Sequence, residues 1–287
     1  MTIRNPIEWT FDQFKMTAVA VGSTWRAVSG ISEDLHAPMP AVRRIRIGDL
    51  REALARGFAD FGACRTDVIF LCIIYPIVGL VLARVAVGND MLPLLFPLAS
   101  GFALVGPAAA VGLYELSRRR EQSVDARWQD AFSVARSPSF GAILALGLLL
   151  VALFAAWMFA AQVIYDLTLG PEPPVSLTAF IHDALTTSAG WAMIVVGVGA
   201  GFIFAVVVLS IGAVSFPMLL DREVHLGTAV WTSVRATWAN LVPMAAWGVI
   251  VAAGLVLGSI PLLLGLVFVI PVLGHATWHL YRKLVPR

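Results

Sequence analysis

LPLLFPLASGFALVGPAAAVGLYELSRRREQ, residues 92–122, runs from Leu92 to Leu116 with a single ionisable group, Glu115, and then closes on three consecutive bases, Arg118–Arg120. An apolar run of that length covers a hydrocarbon core, which takes about 20 residues of helix. A basic cluster directly behind it marks the cytoplasmic side of a bilayer. Working outward, the same pattern recurs. Of the 20 lysines and arginines, nine lie before residue 66, five between Arg118 and Arg136, two at Arg222 and Arg235, and three after Tyr281. Only Arg84 falls elsewhere. Between these clusters the chain is apolar and nearly uncharged, and the intervening loops carry Asp90, Asp166, Glu172 and Asp183 without a base.

Composition agrees. The 287 residues are 59% hydrophobic and 13% charged, roughly half the charged fraction of a soluble domain. The expected fold class is all-α: a polytopic membrane protein with six transmembrane helices, at 68–87, 92–116, 139–165, 189–216, 241–260 and 261–281. The first two are joined only by GNDM (residues 88–91), so they read as a tight hairpin. Basic loops inside place both termini in the cytoplasm of a bacterial inner membrane. No cleavable signal peptide is expected, because Asp12, Lys15 and Arg26 interrupt the first 30 residues.

Each odd-numbered span follows a short amphipathic segment. The first, Gly48 to Cys64, offers Asp49 as a cap with Glu52 returning the bond, and sets Leu50, Leu54, Phe58 and Phe61 on one face. The second runs from Ser123 to Arg136 and the third from Val224 to Ala239, both with interfacial tryptophans. Glu121 and Asp221, and Ser133 and Ser233, stand 100 residues apart. The plan is three repeats of cytoplasmic amphipathic helix plus transmembrane hairpin, at about 48–117, 123–217 and 224–281, within a membrane domain of residues 45–287.

Residues 1–44 form a cytoplasmic extension with its own amphipathic helix. Ile7, Phe11, Phe14, Ala18, Val21, Trp25 and Val28 recur at spacings of four and three, a stripe that must bury one face. With only Lys15 and Arg26 basic, contact with protein is preferred over lipid, so Phe11, Phe14, Val21 and Trp25 are the expected interaction residues. HAPMPA, residues 36–41, is the linker.

RIGDLREALARGFADF (residues 46–61), GPAAAVGLYELSRRREQ (106–122) and FPMLLDREV (216–224) resemble a bacterial family of integral membrane proteins, a domain of unknown function. The resemblance spans Ile45 to the end. Some members carry the label of a cytochrome c oxidase subunit. The family implies an inner-membrane location and no established activity.

Chemistry is sparse. A haem–copper core needs more histidines within its spans than this chain has, five in all, with His36, His182 and His225 outside them. His275 and His279 share a helix face and are weak metal candidates at i, i+4; the further ligands of a stable site are missing, so no cofactor is expected. Arg84 is expected to pair with Asp90 at the hairpin tip, and Glu115 with the arginine run, each as a structural charge. No GxSxG, HExxH, CxxC or phosphate-binding loop is present. The expected function is non-enzymatic: an accessory or assembly factor acting by contact with another inner-membrane complex. The alternative is a permease or channel for a neutral or lipid-like solute. Membrane lipids are expected partners and nucleic acid is not.

Overall fold

The computed structural model describes residues 39–64, 69, 72–88, 91–124 and 126–287. The interaction residues Phe11, Phe14, Val21 and Trp25, together with Asp90, lie outside them. Among the described residues every regular element is helical. We number the α-helices α1 (Ile47–Ala63), α2 (Ile74–Gly88), α3 (Leu95–Ala109), α4 (Val111–Glu121), α5 (Phe140–Thr168), α6 (Leu177–Thr186), α7 (Ser188–Gly212), α8 (Ser215–Asp221), α9 (Leu226–Ala239), α10 (Leu241–Ser259) and α11 (Leu266–Leu284). Two 3₁₀ stretches, Leu92–Leu94 and Trp128–Arg136, complete the fold.

Among the described residues, four segments are long and apolar enough to cross a membrane: Leu92–Glu121, Phe140–Thr168, Ser188–Asp221 and Leu241–Ser259. Two of them are broken near one end. Pro107 sits inside α3, and the chain turns at Ala110 before α4 continues. Pro217 lies in α8, just past the turn at Ala213–Val214 that ends α7. Proline has no N–H to give the carbonyl four residues back, so Pro217 leaves Ala213 O without that bond at the turn itself, whereas the bond Pro107 removes, to Ala103 O, lies within α3 ahead of the break. The first expected span is the shorter apolar helix α2, and the sixth begins only at Leu266. Between α10 and α11 the chain reverses through Leu262 and Leu263, both left-handed (φ 51° and 66°), a rare conformation for residues with a Cβ.

More than half of α11 is buried, and its closest neighbour among the described helices is α1. Gly57 makes that approach possible: a Cβ there would lie 2.7 Å from both Cβ and N of Ala276. The buried stripe of α1 is Leu50, Ala53, Gly57 and Asp60; of the large-residue stripe read from the sequence, Leu50 is buried, Leu54 and Phe61 pack partly buried against the core, and Phe58 departs from it. Phe58 faces outward at 61% exposure. Close approach to α11 selects the small residues Ala53 and Gly57, while Phe61 packs edge-on against Phe268 of α11 and Phe58 is left outside. Asp49 is likewise not the cap: Arg46 holds that position, and its N–H donates to Asp49 Oδ2 at 2.8 Å. The expected second amphipathic segment is tighter and shorter, with Ser123 left-handed (φ 58°) and the 3₁₀ stretch starting at Trp128.

That 3₁₀ stretch packs on α4, α9 packs on α8, and α1 packs on α11. Farther along the spans, Trp157 of α5 anchors α3 by donating from Nε1 to Pro97 O and Ser100 Oγ, each at 3.1 Å. The helices α1 and α11 supply a stability test. Gly57→Leu must push α1 off Ala276 and is expected to lower the melting temperature of the purified protein, at a cost of about 1–3 kcal/mol. Gly62→Ala, on the open side where a Cβ meets nothing within 4 Å, is expected to leave it unchanged or raise it.

Candidate functional site

The polar groups of α1, α4, α8 and α11 meet in one layer at the charged ends of the helices. At its centre Asp60 of α1 is 7% exposed. Ser117 of α4 donates from Oγ to Asp60 Oδ2 at 2.7 Å, and His279 Nε2 lies 2.9 Å from the same oxygen. His275 is fully buried, with Nδ1 2.8 Å from Ser117 Oγ. Since the serine proton goes to Asp60, His275 Nδ1–H is the donor to Ser117. Its Nε2 then carries a lone pair, buried and without a hydrogen-bond partner. Arg120 closes the group, with Nη1 donating to Asp60 O at 3.1 Å and Nε 3.6 Å from Asp60 Oδ1.

Burial opposes the charged form of Asp60, but the bonds from His279 and Ser117 outweigh it and hold the pKa below its ordinary 3.8. The order Asp60–Ser117–His275 is not that of a nucleophilic relay, in which histidine stands between the acid and the serine. Here the serine is in the middle and has no exposed surface. The arrangement fastens three helices.

Around this clamp Glu115, Glu121, Asp221, Asp49 and Glu52 each meet a basic side chain. Glu115, 2% exposed, takes Arg118 Nε at 2.7 Å and Arg119 Nε at 2.9 Å. Arg119 reaches on to Asp130 at 3.0 Å. Arg282 of α11 bridges Glu121 at 3.0 Å and Asp221 at 3.1 Å. Trp278 Nε1 donates to Glu121 at 3.0 Å, and the Tyr281 hydroxyl to Asp221 at 2.7 Å. Lys283 binds Asp49 and Glu52 at 2.9 and 2.6 Å. Asn240 ties the incoming chain down: its Oδ1 accepts from Ile45 N–H at 2.8 Å, and its Nδ2 donates to Arg43 O at 3.2 Å.

The structure therefore brings His275 and His279 together through Asp60 and Ser117, which the sequence reading did not single out. A carboxylate inside the small-residue stripe of α1 was the available signal. Arg84 lies apart on α2, with its guanidinium beside Gly88. Among the described residues no group of three or more His, Cys, Asp or Glu side chains is placed to hold a metal ion.

Apolar helices of spanning length, closed at one end by a desolvated layer of paired charge, define the class: an integral membrane protein. Residues 95–221, from the start of α3 to the end of α8, match the model of a family described as "Predicted integral membrane protein (DUF2189)", whose function is unknown. That segment holds GPAAAVGLYELSRRREQ and the start of FPMLLDREV; RIGDLREALARGFADF lies before it. Nothing in the match carries the cytochrome c oxidase label to this chain. No curated protein and no solved structure matches the chain.

Asp60 generates a pH prediction. Its folded pKa is depressed, so its contribution is complete above 3.8 and is lost as pH falls through the folded value. The melting temperature is expected to drop on acidification below about pH 4. Asp60→Asn is expected to start lower at pH 7 and to show a shallower acid dependence in the same thermal scan.

Proposed function

We propose that this chain is a non-enzymatic accessory or assembly factor that works by contact with another membrane complex, in a bacterial inner membrane with its charged layer toward the cytoplasm. The observation that carries the reading is the surface of α7. Only 6% of the apolar window in Ser188–Asp221 is buried within the chain, against 33% for Phe140–Thr168. Trp191, Val195, Val198, Phe202 and Ile203 are exposed. A Cβ at Gly197 or Gly199 would meet nothing within 4 Å. A small-residue stretch among large apolar neighbours is the surface on which another transmembrane helix packs closely.

In this reading α2 and α11 are also crossings, giving six, and the three-unit plan acquires a contact rule. Each short helix that precedes a hairpin packs on the end of the hairpin before it, and α1, which has none before it, packs on α11 of the last. A permease needs a cavity among the spans. Two cavities, of about 340 and 250 Å³, open at the charged ends, beside Arg118, Arg222 and Ser139.

Tagged protein extracted in mild detergent is expected to retain one membrane complex in fixed ratio, measured by quantitative mass spectrometry. Gly197→Ile with Gly199→Ile is expected to fold, with an unchanged melting temperature, and to lose that complex. A solitary wild-type protein would sink the contact reading.

A further inference from the structure

We infer that the cavity of about 340 Å³ at the charged ends of the helices binds the phosphate of a phospholipid headgroup. Arg118, Arg136, Arg222, Ser137 and Ser139 line it, with Glu223 on the rim. Four guanidinium groups, including that of Arg119, face three carboxylates, Glu115, Asp221 and Glu223. The excess is one positive charge, which matches the single charge of a phosphodiester.

The donors are not all spent inside the protein. Arg119 is consumed by Glu115, Ser133 and Asp130. Arg118 gives Nε and Nη2 to Glu115, leaving Nη1. Arg222 gives Nη2 to Pro286 O at 2.6 Å, and its Nε stands 3.7 Å from Asp221, leaving Nη1. Arg136 is exposed and makes no hydrogen bond or ion pair among the described residues. Guanidinium groups with free N–H bonds recognise phosphate oxygens by charge-assisted hydrogen bonding.

Position selects the lipid. The cavity lies where Leu92–Glu121 ends, Phe140–Thr168 begins and Ser188–Asp221 ends, so the ends of three apolar segments set it at the depth of the headgroups. A second cavity of about 250 Å³ shares Pro138, Ser139 and Glu223 with it. It continues past Gly141 and Ala142, in the first turn of α5, to Val224 and Leu226. That continuation offers the glycerol and the start of an acyl chain an apolar course beside the helix.

The test uses the full-length protein, delipidated in dodecylmaltoside and titrated with phosphatidylglycerol, with diacylglycerol of the same chains, or with inorganic phosphate. Binding is read by native mass spectrometry and by the thermal shift. Phosphatidylglycerol is expected to bind at least about tenfold more tightly than diacylglycerol, and Arg136→Gln is expected to weaken it about tenfold. That variant should retain its lipid-free melting temperature, because Arg136 makes no contact to lose. Arg84→Gln, a charge change away from the cavity, is the control and should leave affinity unaltered. Equal affinity for phosphatidylglycerol and diacylglycerol, or equal weakening by the two substitutions, would overturn the proposal. Arg136-dependent binding of inorganic phosphate without a preference for phosphatidylglycerol would overturn the lipid as occupant and assign the cavity to soluble phosphate.

Discussion

A charge withdrawn from water at the edge of a membrane must meet its opposite or carry a desolvation penalty of several kcal/mol. α11 imposes that constraint on this fold. In its last three turns it carries His275, His279, Arg282 and Lys283, and each is met on another helix. Asp60 and Ser117 meet the histidines, Glu121 and Asp221 meet Arg282, and Asp49 and Glu52 meet Lys283. The partners come from α1, α4 and α8. One helix therefore sets the relative positions of three others through polar geometry, where apolar contact alone would let them slide. Hydrogen bonds and ion pairs have fixed lengths and directions, so the layer specifies a register as well as contributing energy.

The close approach of α1 and the polar layer depend on each other. Gly57 brings the backbones near enough for Asp60 to reach His279, and the Asp60 bonds in turn hold α1 against Ala276. Farther from the charged layer the fold relies on shape and on a few internal bonds, such as the Trp157 indole on the Pro97 carbonyl. The exposed apolar surface of α7 is the complement of this economy, because a helix with few neighbours in its own chain leaves its side chains to lipid or to another protein.

Much of the helical plan was legible in the sequence because it rests on length and charge alone. Leu92–Leu116, Ser139–Tyr165, Ala189–Phe216 and Leu241–Ile260 fall close to the four long apolar segments of the structure. The ends were less legible. Pro107 and Pro217 are legible in the sequence as helix breakers, but hydropathy does not report that the turns fall at Ala110 and at Ala213–Val214. The inward face of α1 was read in part: Leu50, Leu54 and Phe61 do pack inward, but Phe58 does not, and Ala53 and Gly57 were passed over because size was taken as the sign of burial, whereas backbone proximity to α11 favours glycine and alanine. The clamp was half visible: the histidines stood out by spacing, but their partners Ser117 and Asp60 lie 158 and 219 positions from them. Only tertiary structure joins residues so far apart. The same holds for Arg282, whose two carboxylates, Glu121 and Asp221, are the pair noticed for standing 100 residues apart.

The pairing of α1 with α11 also bears on how the chain matures. A ribosome delivers Asp60 well before it delivers His279, 219 positions later. During that interval α1 lacks its close-packed neighbour α11 and the His279 donor, so only Ser117 and Arg120 of α4 are at hand to offset burial of its carboxylate. Docking becomes favourable once the last helix has inserted. Closure of so long a loop adds only slowly to the entropic cost, but it couples the first described helix to the last described one, and a chain that stalls before α11 lacks the His279 contact to Asp60. Full seating of α1 thus depends on a helix made more than 200 residues after it.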